Sequence, residues 1–215
     1  MTEFGIHKRV GEWGVFGTRV KTGLVLALPN GDAPTVGKGP LVGGAQAHDS
    51  FVRDYFVAGG LQVAQIAGVR TMSEMAKVGE VTADSDGLAD AKLVGFYSVI
   101  DRIADGVPVR DSFAWAQVNE DSEVVTESAY WPELPGSVVA RAKEMEAMLA
   151  DPESRQLYFQ KVPSHGKVVI RHTSGVWEGA FTAQASYDVE WAGRVLHYDL
   201  KGNRFSLPDE ESAEP

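Results

Sequence analysis

The chain has 215 residues, no cysteine and a formal net charge of −10 at neutral pH. With 44% hydrophobic and 23% charged residues, its composition is that of a globular protein and not of a disordered one. The lack of cysteine excludes disulfides and cysteine-ligated metal sites, and the negative charge disfavours direct binding to nucleic acid because it repels the phosphate backbone.

The first third of the chain predicts two strands, a loop and a helix. Segments 13–20 and 24–28 are rich in β-branched and aromatic residues punctuated by glycine, which is typical of strands. The glycine and proline content of 29–44 indicates a loop. Aromatic residues at helical spacing then predict a helix over 45–58. After it we expect a strand within 61–66 and a helical turn or two within 71–78.

The middle of the chain shows a strong helical pattern, a hairpin and two further helices. Apolar residues of 86–105 fall on one helical face, so we predict a helix there. Alternating residues within 111–128 predict a β-hairpin with a polar turn. Pro135-Gly136 then interrupts the chain before a helix predicted over 138–149, and Pro152 is placed to start another that runs to Phe159.

The C-terminal third carries the clearest alternation of apolar and polar residues, over 177–191. A two-residue turn at Ala192-Gly193 would place Trp191 opposite Arg194 and fix the register of a hairpin. Apolar residues then meet on one face, in the pairs Val189 with Leu196, Tyr187 with Tyr198 and Ala185 with Leu200. Polar residues gather on the other, in the pairs Asp188 with His197, Ser186 with Asp199 and Gln184 with Lys201.

Together these elements predict an α+β fold, in which an antiparallel sheet with a C-terminal β-hairpin packs against several helices from the middle of the chain. We expect one globular domain over 1–208 and an acidic flexible tail over 209–215. The N-terminal residues lack the apolar core of a secretory signal, and no run is long enough to span a membrane. A cytoplasmic protein without membrane contact is therefore expected.

The polar face of the predicted hairpin is the candidate catalytic site. Asp188, followed on the next strand by Asp199-Leu200-Lys201, resembles the strand pair that holds the metal in metal-dependent nucleases. Asp188 and Asp199 would bind Mg²⁺ or Mn²⁺, Lys201 would stabilise charge on a phosphate, and His197 would act as a base. The alternative is a charge-paired, solvated sheet face with Asp188 beside His197.

A second candidate is the loop that carries Tyr130 and Trp131, where an exposed aromatic side chain could anchor a partner. Filling of the core is the alternative reading of these residues. Segment 31–39 has glycines and a lysine but the wrong spacing for a phosphate-binding loop, and Gly39 lacks the hydroxyl that such a loop requires.

We therefore expect a non-catalytic binding or assembly protein that acts through a protein–protein surface, with a protein partner or a second copy of itself, and needs no cofactor. One alternative is a small metal-dependent hydrolase that uses Mg²⁺ or Mn²⁺ at Asp188 and Asp199. Another is an acidic inhibitor of a nucleic-acid enzyme, which would need negative residues spread over one continuous face.

Overall fold

The computed structural model describes residues 4–7, 13–19, 24–29, 39–76, 92–172 and 182–207. Within these residues the protein is mixed α+β, as predicted, and its strands join in one sheet. The strands are β1 Phe4–His7, β2 Trp13–Arg19, β3 Leu24–Pro29, β4 Ile66–Ala76, β5 Lys92–Ala104, β6 Val107–Val118, β7 Val124–Tyr130, β8 Lys167–His172, β9 Ala183–Trp191, β10 Arg194–Tyr198 and β11 Arg204–Phe205. The helices are α1 Gly44–Ala58, α2 Gly136–Ala150 and α3 Pro152–Tyr158, and none of them is long and apolar enough to cross a membrane.

The sheet branches along β6, its central strand. On one side β6 pairs with β5, which in turn pairs with β4. On the other side the C-terminal half of β6 pairs with β7, while Val109 and Arg110 pair in parallel with β8. Strands β3, β2 and β1 extend the sheet beyond β7, and β9, β10 and β11 extend it beyond β8. The sheet therefore has two wings that share β5 and β6.

The branch point of the sheet is a bulge in β6. The register against β5 jumps from Phe113 to Val109, and Asp111 between them has a left-handed backbone with φ of 65°. Aspartate tolerates this conformation better than most residues. The bulge changes which residues face the core, because Val107 and Val109 are buried before it and Ser112 and the alternate residues that follow are buried after it.

Helices α1 and α2 cover neighbouring parts of one sheet face. Alternate residues of a strand point to the same side, and in β5 the buried alternate residues run from Phe96 to Ala104. Ile100 packs in the hydrophobic cluster under α1, whereas Ala104 packs in the cluster under α2. Arg102 lies between the two on the same face. At the branch point, the buried side chain of Arg102 thus lies between two apolar clusters.

Several local predictions from the sequence agree with this architecture, including the strands β2 and β3, the helices α1, α2 and α3, and the β6–β7 hairpin. The helix predicted over 86–105 is wrong, because 92–104 form β5, and 86–91 lie outside the described residues. Strand β5 is paired on both sides, and one of its faces is buried while the other is half-buried. Such a strand carries apolar residues on both faces, so its sequence also fits one helical face. The helical turn considered within 71–78 is likewise replaced, as far as Ala76, by β4.

Strands β9 and β10 pair around Ala192-Gly193, with Trp191 opposite Arg194 and Tyr187 opposite Tyr198. Both turn residues have positive φ, which suits a two-residue hairpin. Strand β10 ends at Tyr198, so the predicted pairs of Asp199 with Ser186 and of Lys201 with Gln184 do not form. The part of the predicted strand that covers 177–181 lies outside the described residues.

Candidate functional site

Asp188 and His197 meet as the sequence predicts, but they are buried and not solvated. Asp188 is 5% exposed and His197 is 1% exposed. His197 Nδ1 donates to Asp188 Oδ1 over 2.8 Å, Ser186 Oγ donates to the same oxygen, and Arg171 Nε donates to Oδ2 over 2.6 Å. Burial alone would raise the pKa of Asp188, but these hydrogen bonds outweigh it and hold the pKa below its usual value. A carboxylate with these partners is suited to holding β8, β9 and β10 together.

Asp199 has a different and local set of partners. Its carboxylate accepts hydrogen bonds from the backbone N–H groups of Lys201 and Asn203 and from the Asn203 side chain, at 2.8–3.0 Å. Burial opposes ionisation, yet the bonds from Asn203 and Lys201 lower the pKa of this carboxyl. This is the geometry of an Asx turn, which closes the connection from β10 to β11.

The four predicted catalytic residues are therefore brought together only in part. Asp188 lines a cleft of about 610 Å³ with Arg171 and Lys167, whereas Asp199 lines another cleft beside α2. Lys201 lies in the turn with Asp199. Among the described residues, no group of three or more His, Asp or Glu side chains is arranged to hold a metal ion. Asp188 and Asp199 thus each accept hydrogen bonds from their own neighbours, and they lie in different clefts and do not face a common site.

The two aromatic residues proposed as a partner anchor have different environments. Tyr130 is completely buried, and its ring packs 4.9 Å from that of His172, so its side chain is not part of a surface. Trp131 is half-buried. Its indole Nε1 donates to Gln65 Oε1 over 3.0 Å, and the Arg102 guanidinium lies 4.9 Å from its ring centre. Trp131 is thus held in place by groups at the branch point.

Arg102 makes the most extensive polar contacts at the branch point. Its Nη1 donates to the Pro132 carbonyl over 2.7 Å and to Ser112 Oγ over 3.2 Å, while Nε and Nη2 donate to Gln65 Oε1. We call Arg102 and these partners, with Trp131 and His172, the Arg102 network. It joins the segment before β4, strands β5 and β6, and the connection from β7 to α2. The network therefore links the surroundings of α1 to those of α2.

The charge of Arg102 is buried, and no described residue forms an ion pair with it. The side chain is 3% exposed, and no carboxylate of the described residues lies within ion-pair distance of it. Its hydrogen-bond acceptors are all neutral. Burial lowers the pKa of Arg102 to about 10, which leaves it charged at neutral pH. Buried charges in proteins are usually paired, so this unpaired one is the main electrostatic anomaly of the described residues.

His172 continues the network and must be neutral. Ser112 Oγ accepts from Arg102 and lies 2.9 Å from His172 Nε2, within hydrogen-bond distance. Burial, with a smaller effect from the nearby Arg102 charge, lowers the pKa of His172 to about 4. At neutral pH the His172 ring is therefore uncharged while its Nε2 shares a hydrogen bond with Ser112.

A second buried histidine, His48, attaches α1 to the sheet. Its Nε2 accepts from the backbone N–H of Val118 over 2.9 Å, and its Nδ1 contacts Ser98 Oγ, which donates to Asp49. Burial lowers the pKa of His48. In this series of hydrogen bonds Ser98 lies between His48 and Asp49 and donates its proton to Asp49. His48 therefore does not accept the serine proton as a catalytic base would.

Arg102 is not among the candidate residues of the sequence, because the pattern of its segment predicts a helix. A strand interpretation would have shown it at an alternate position between Ile100 and Ala104, inside a buried column. A charged residue at such a buried position is unusual and indicates a functional role.

Comparison with known proteins gives no further indication of function. No model of a known protein family, no curated protein and no solved structure matches this chain.

We predict that Asp188→Asn strongly destabilises the protein, because it removes the charge that Arg171 and His197 pair with in a buried place. The free energy of unfolding should fall by about 3 kcal/mol or more, measured by urea denaturation. Asp199→Asn is the matched control and should cost roughly 1 kcal/mol, since it affects only turn hydrogen bonds. Equal costs for the two substitutions would contradict these assignments.

We also predict that His172 makes stability depend on pH. Its pKa is lowered from 6.5 to about 4, so its contribution is complete above pH 6.5 and is lost as the pH falls toward 4. The difference in unfolding free energy between the wild type and His172→Gln should shrink by roughly 3 kcal/mol across this range. An NMR titration of the His172 ring with a midpoint at or above 6.5 would contradict the prediction.

Proposed function

We propose that the protein is an assembly protein, and that it associates with a second copy of itself by antiparallel pairing along β4. Strand β4 has 11 residues, and within the described part of the chain it pairs with β5 alone. Its sequence contains neither proline nor lysine, the residues that commonly protect a sheet edge. The observation that carries the proposal is this long edge strand with exposed apolar side chains.

Exposed thioether side chains mark the surface around this edge. Met72 is 50% exposed and Met75 is 55% exposed, and Leu93 of β5, which pairs with Met75, is exposed as well. Methionine side chains adapt to different surfaces and favour contact with another protein. A partner strand that covers them would remove apolar surface from water and pair the backbone groups of the edge.

The sequence of β4 is complementary to itself in the antiparallel sense. A two-fold axis at Met72 would place Arg70 of each copy opposite Glu74 of the other, twice in the dimer. The same register pairs Val69 with Met75 on the other face of the strand. Opposite charges and apolar pairs facing each other across strands both stabilise a sheet.

The charged side chains of this face already have hydrogen-bond partners on the neighbouring strands β5 and β6. Arg70 donates to both carboxylate oxygens of Asp101, at 2.6 and 2.8 Å, and Glu74 accepts from Gln117 over 2.7 Å. Arg70 is nevertheless largely exposed and remains within reach of a partner. Because these side chains are ordered before association, less conformational entropy is lost on pairing.

The proposal predicts that Met72→Lys weakens self-association at least tenfold, since it would place two ammonium groups face to face at the axis. Sedimentation velocity over a range of concentrations measures the effect. Leu157→Lys, at another exposed apolar residue, is the matched control and should leave association unchanged.

A charge exchange tests the register itself. Glu74→Arg alone should weaken association, because it sets arginine opposite Arg70, and the double variant Arg70→Glu/Glu74→Arg should restore it. A wild-type protein that stays monomeric at every concentration would overturn the proposal. Association that survives Met72→Lys and also survives Glu74→Arg would show that another surface is used.

The hydrolase and inhibitor alternatives remain predictions. Added Mn²⁺ that raises the melting temperature would favour the hydrolase.

A further inference from the structure

A second site, separate from the proposed assembly edge, lies at the branch point of the sheet. A cleft of about 630 Å³ opens there, and its lining includes Arg102, Gln65, Trp131, Asp105 and Glu133. Clefts of this size are typical of sites for small organic molecules. One wall carries the indole of Trp131, fixed by its hydrogen bond to Gln65.

Arg102 has one N–H donor more than its neighbours use. A guanidinium carries five N–H groups, one on Nε and two on each Nη. Nη1 donates both of its hydrogens and Nε donates its one, while Nη2 donates one to Gln65. Among the described residues no acceptor takes the second Nη2 hydrogen. A nearly inaccessible side chain that lines the cleft thus keeps one unused charged donor.

The charges of the lining select between kinds of anion. Arg102 supplies one positive charge, and the exposed residues Asp105 and Glu133 supply two negative charges. A doubly charged phosphate would be repelled by these carboxylates and could not be neutralised by one guanidinium. The same carboxylates repel a singly charged carboxylate less, and its one charge matches the single unpaired positive charge and the single remaining donor of Arg102.

We propose that this cleft binds a small organic carboxylate, with one carboxylate oxygen accepting from Arg102 Nη2 and the apolar part of the ligand against Trp131. Binding would supply the opposite charge that the buried Arg102 lacks. Because the other N–H groups of Arg102 stay bonded to Gln65, Ser112 and Pro132, the guanidinium is already oriented for the ligand. Little reorganisation is needed on binding.

The indole N–H signal of Trp131 in ¹⁵N NMR spectra reports on the cleft directly, and its loss in Trp131→Phe identifies it. Titration with hexanoate should shift this signal in a saturable way, and titration with inorganic phosphate at equal ionic strength should not. The absence of a hexanoate shift, or an equal response to phosphate, would overturn the proposal.

Substitution at the rim tests the charge argument without disturbing the core. Glu133→Gln should tighten hexanoate binding severalfold, because it removes a repelling carboxylate from the lining. Glu120→Gln makes the same charge change in the turn between β6 and β7, outside the cleft lining, and should leave the affinity unchanged. Equal effects of the two variants, or weaker binding in Glu133→Gln, would contradict a carboxylate site beside Arg102.

Discussion

The hydrogen bonds of the Arg102 guanidinium add a polar link between two apolar clusters that share strands β5 and β6. Strand β6 bends at Asp111 and gives its two halves to different neighbours, so α1 and α2 cover separate apolar clusters. Arg102 lies between these clusters and binds groups from both sides. A buried cation with neutral acceptors is costly, and it persists here because its hydrogen bonds are nearly complete.

The two buried charged groups of the described residues are stabilised in different ways. Asp188 has Arg171 and His197 as partners, and its environment favours the ionised carboxylate. Arg102 has no carboxylate partner among the described residues, and its environment penalises the charge. Asp188 therefore has the partners of a residue that stabilises the fold, although the sequence pattern predicts catalysis there. Arg102, which the sequence did not suggest, is the group with an unmet electrostatic requirement.

Much of the local structure could be predicted, since α1, α2 and the β6–β7 hairpin follow from periodicity and turn residues. The failure at β5 has a physical cause, because a strand with apolar residues on both of its faces loses the strict alternation that identifies it. The bulge at Asp111 could not be predicted either, as it depends on which strands flank β6. The sequence placed Asp188 beside His197 correctly, but their burial depends on tertiary packing that a two-strand register does not contain.

The central claim is that Arg102 couples the apolar cluster under α1 to the one under α2. Native-state hydrogen exchange tests this claim most directly. The amides to compare are those of Val52 in α1 and Met145 in α2, each buried in its own cluster. If Arg102 couples the clusters, both amides exchange with one free energy in the wild type and with clearly different free energies in Arg102→Met. Equal and unchanged protection of both amides in Arg102→Met would contradict the account.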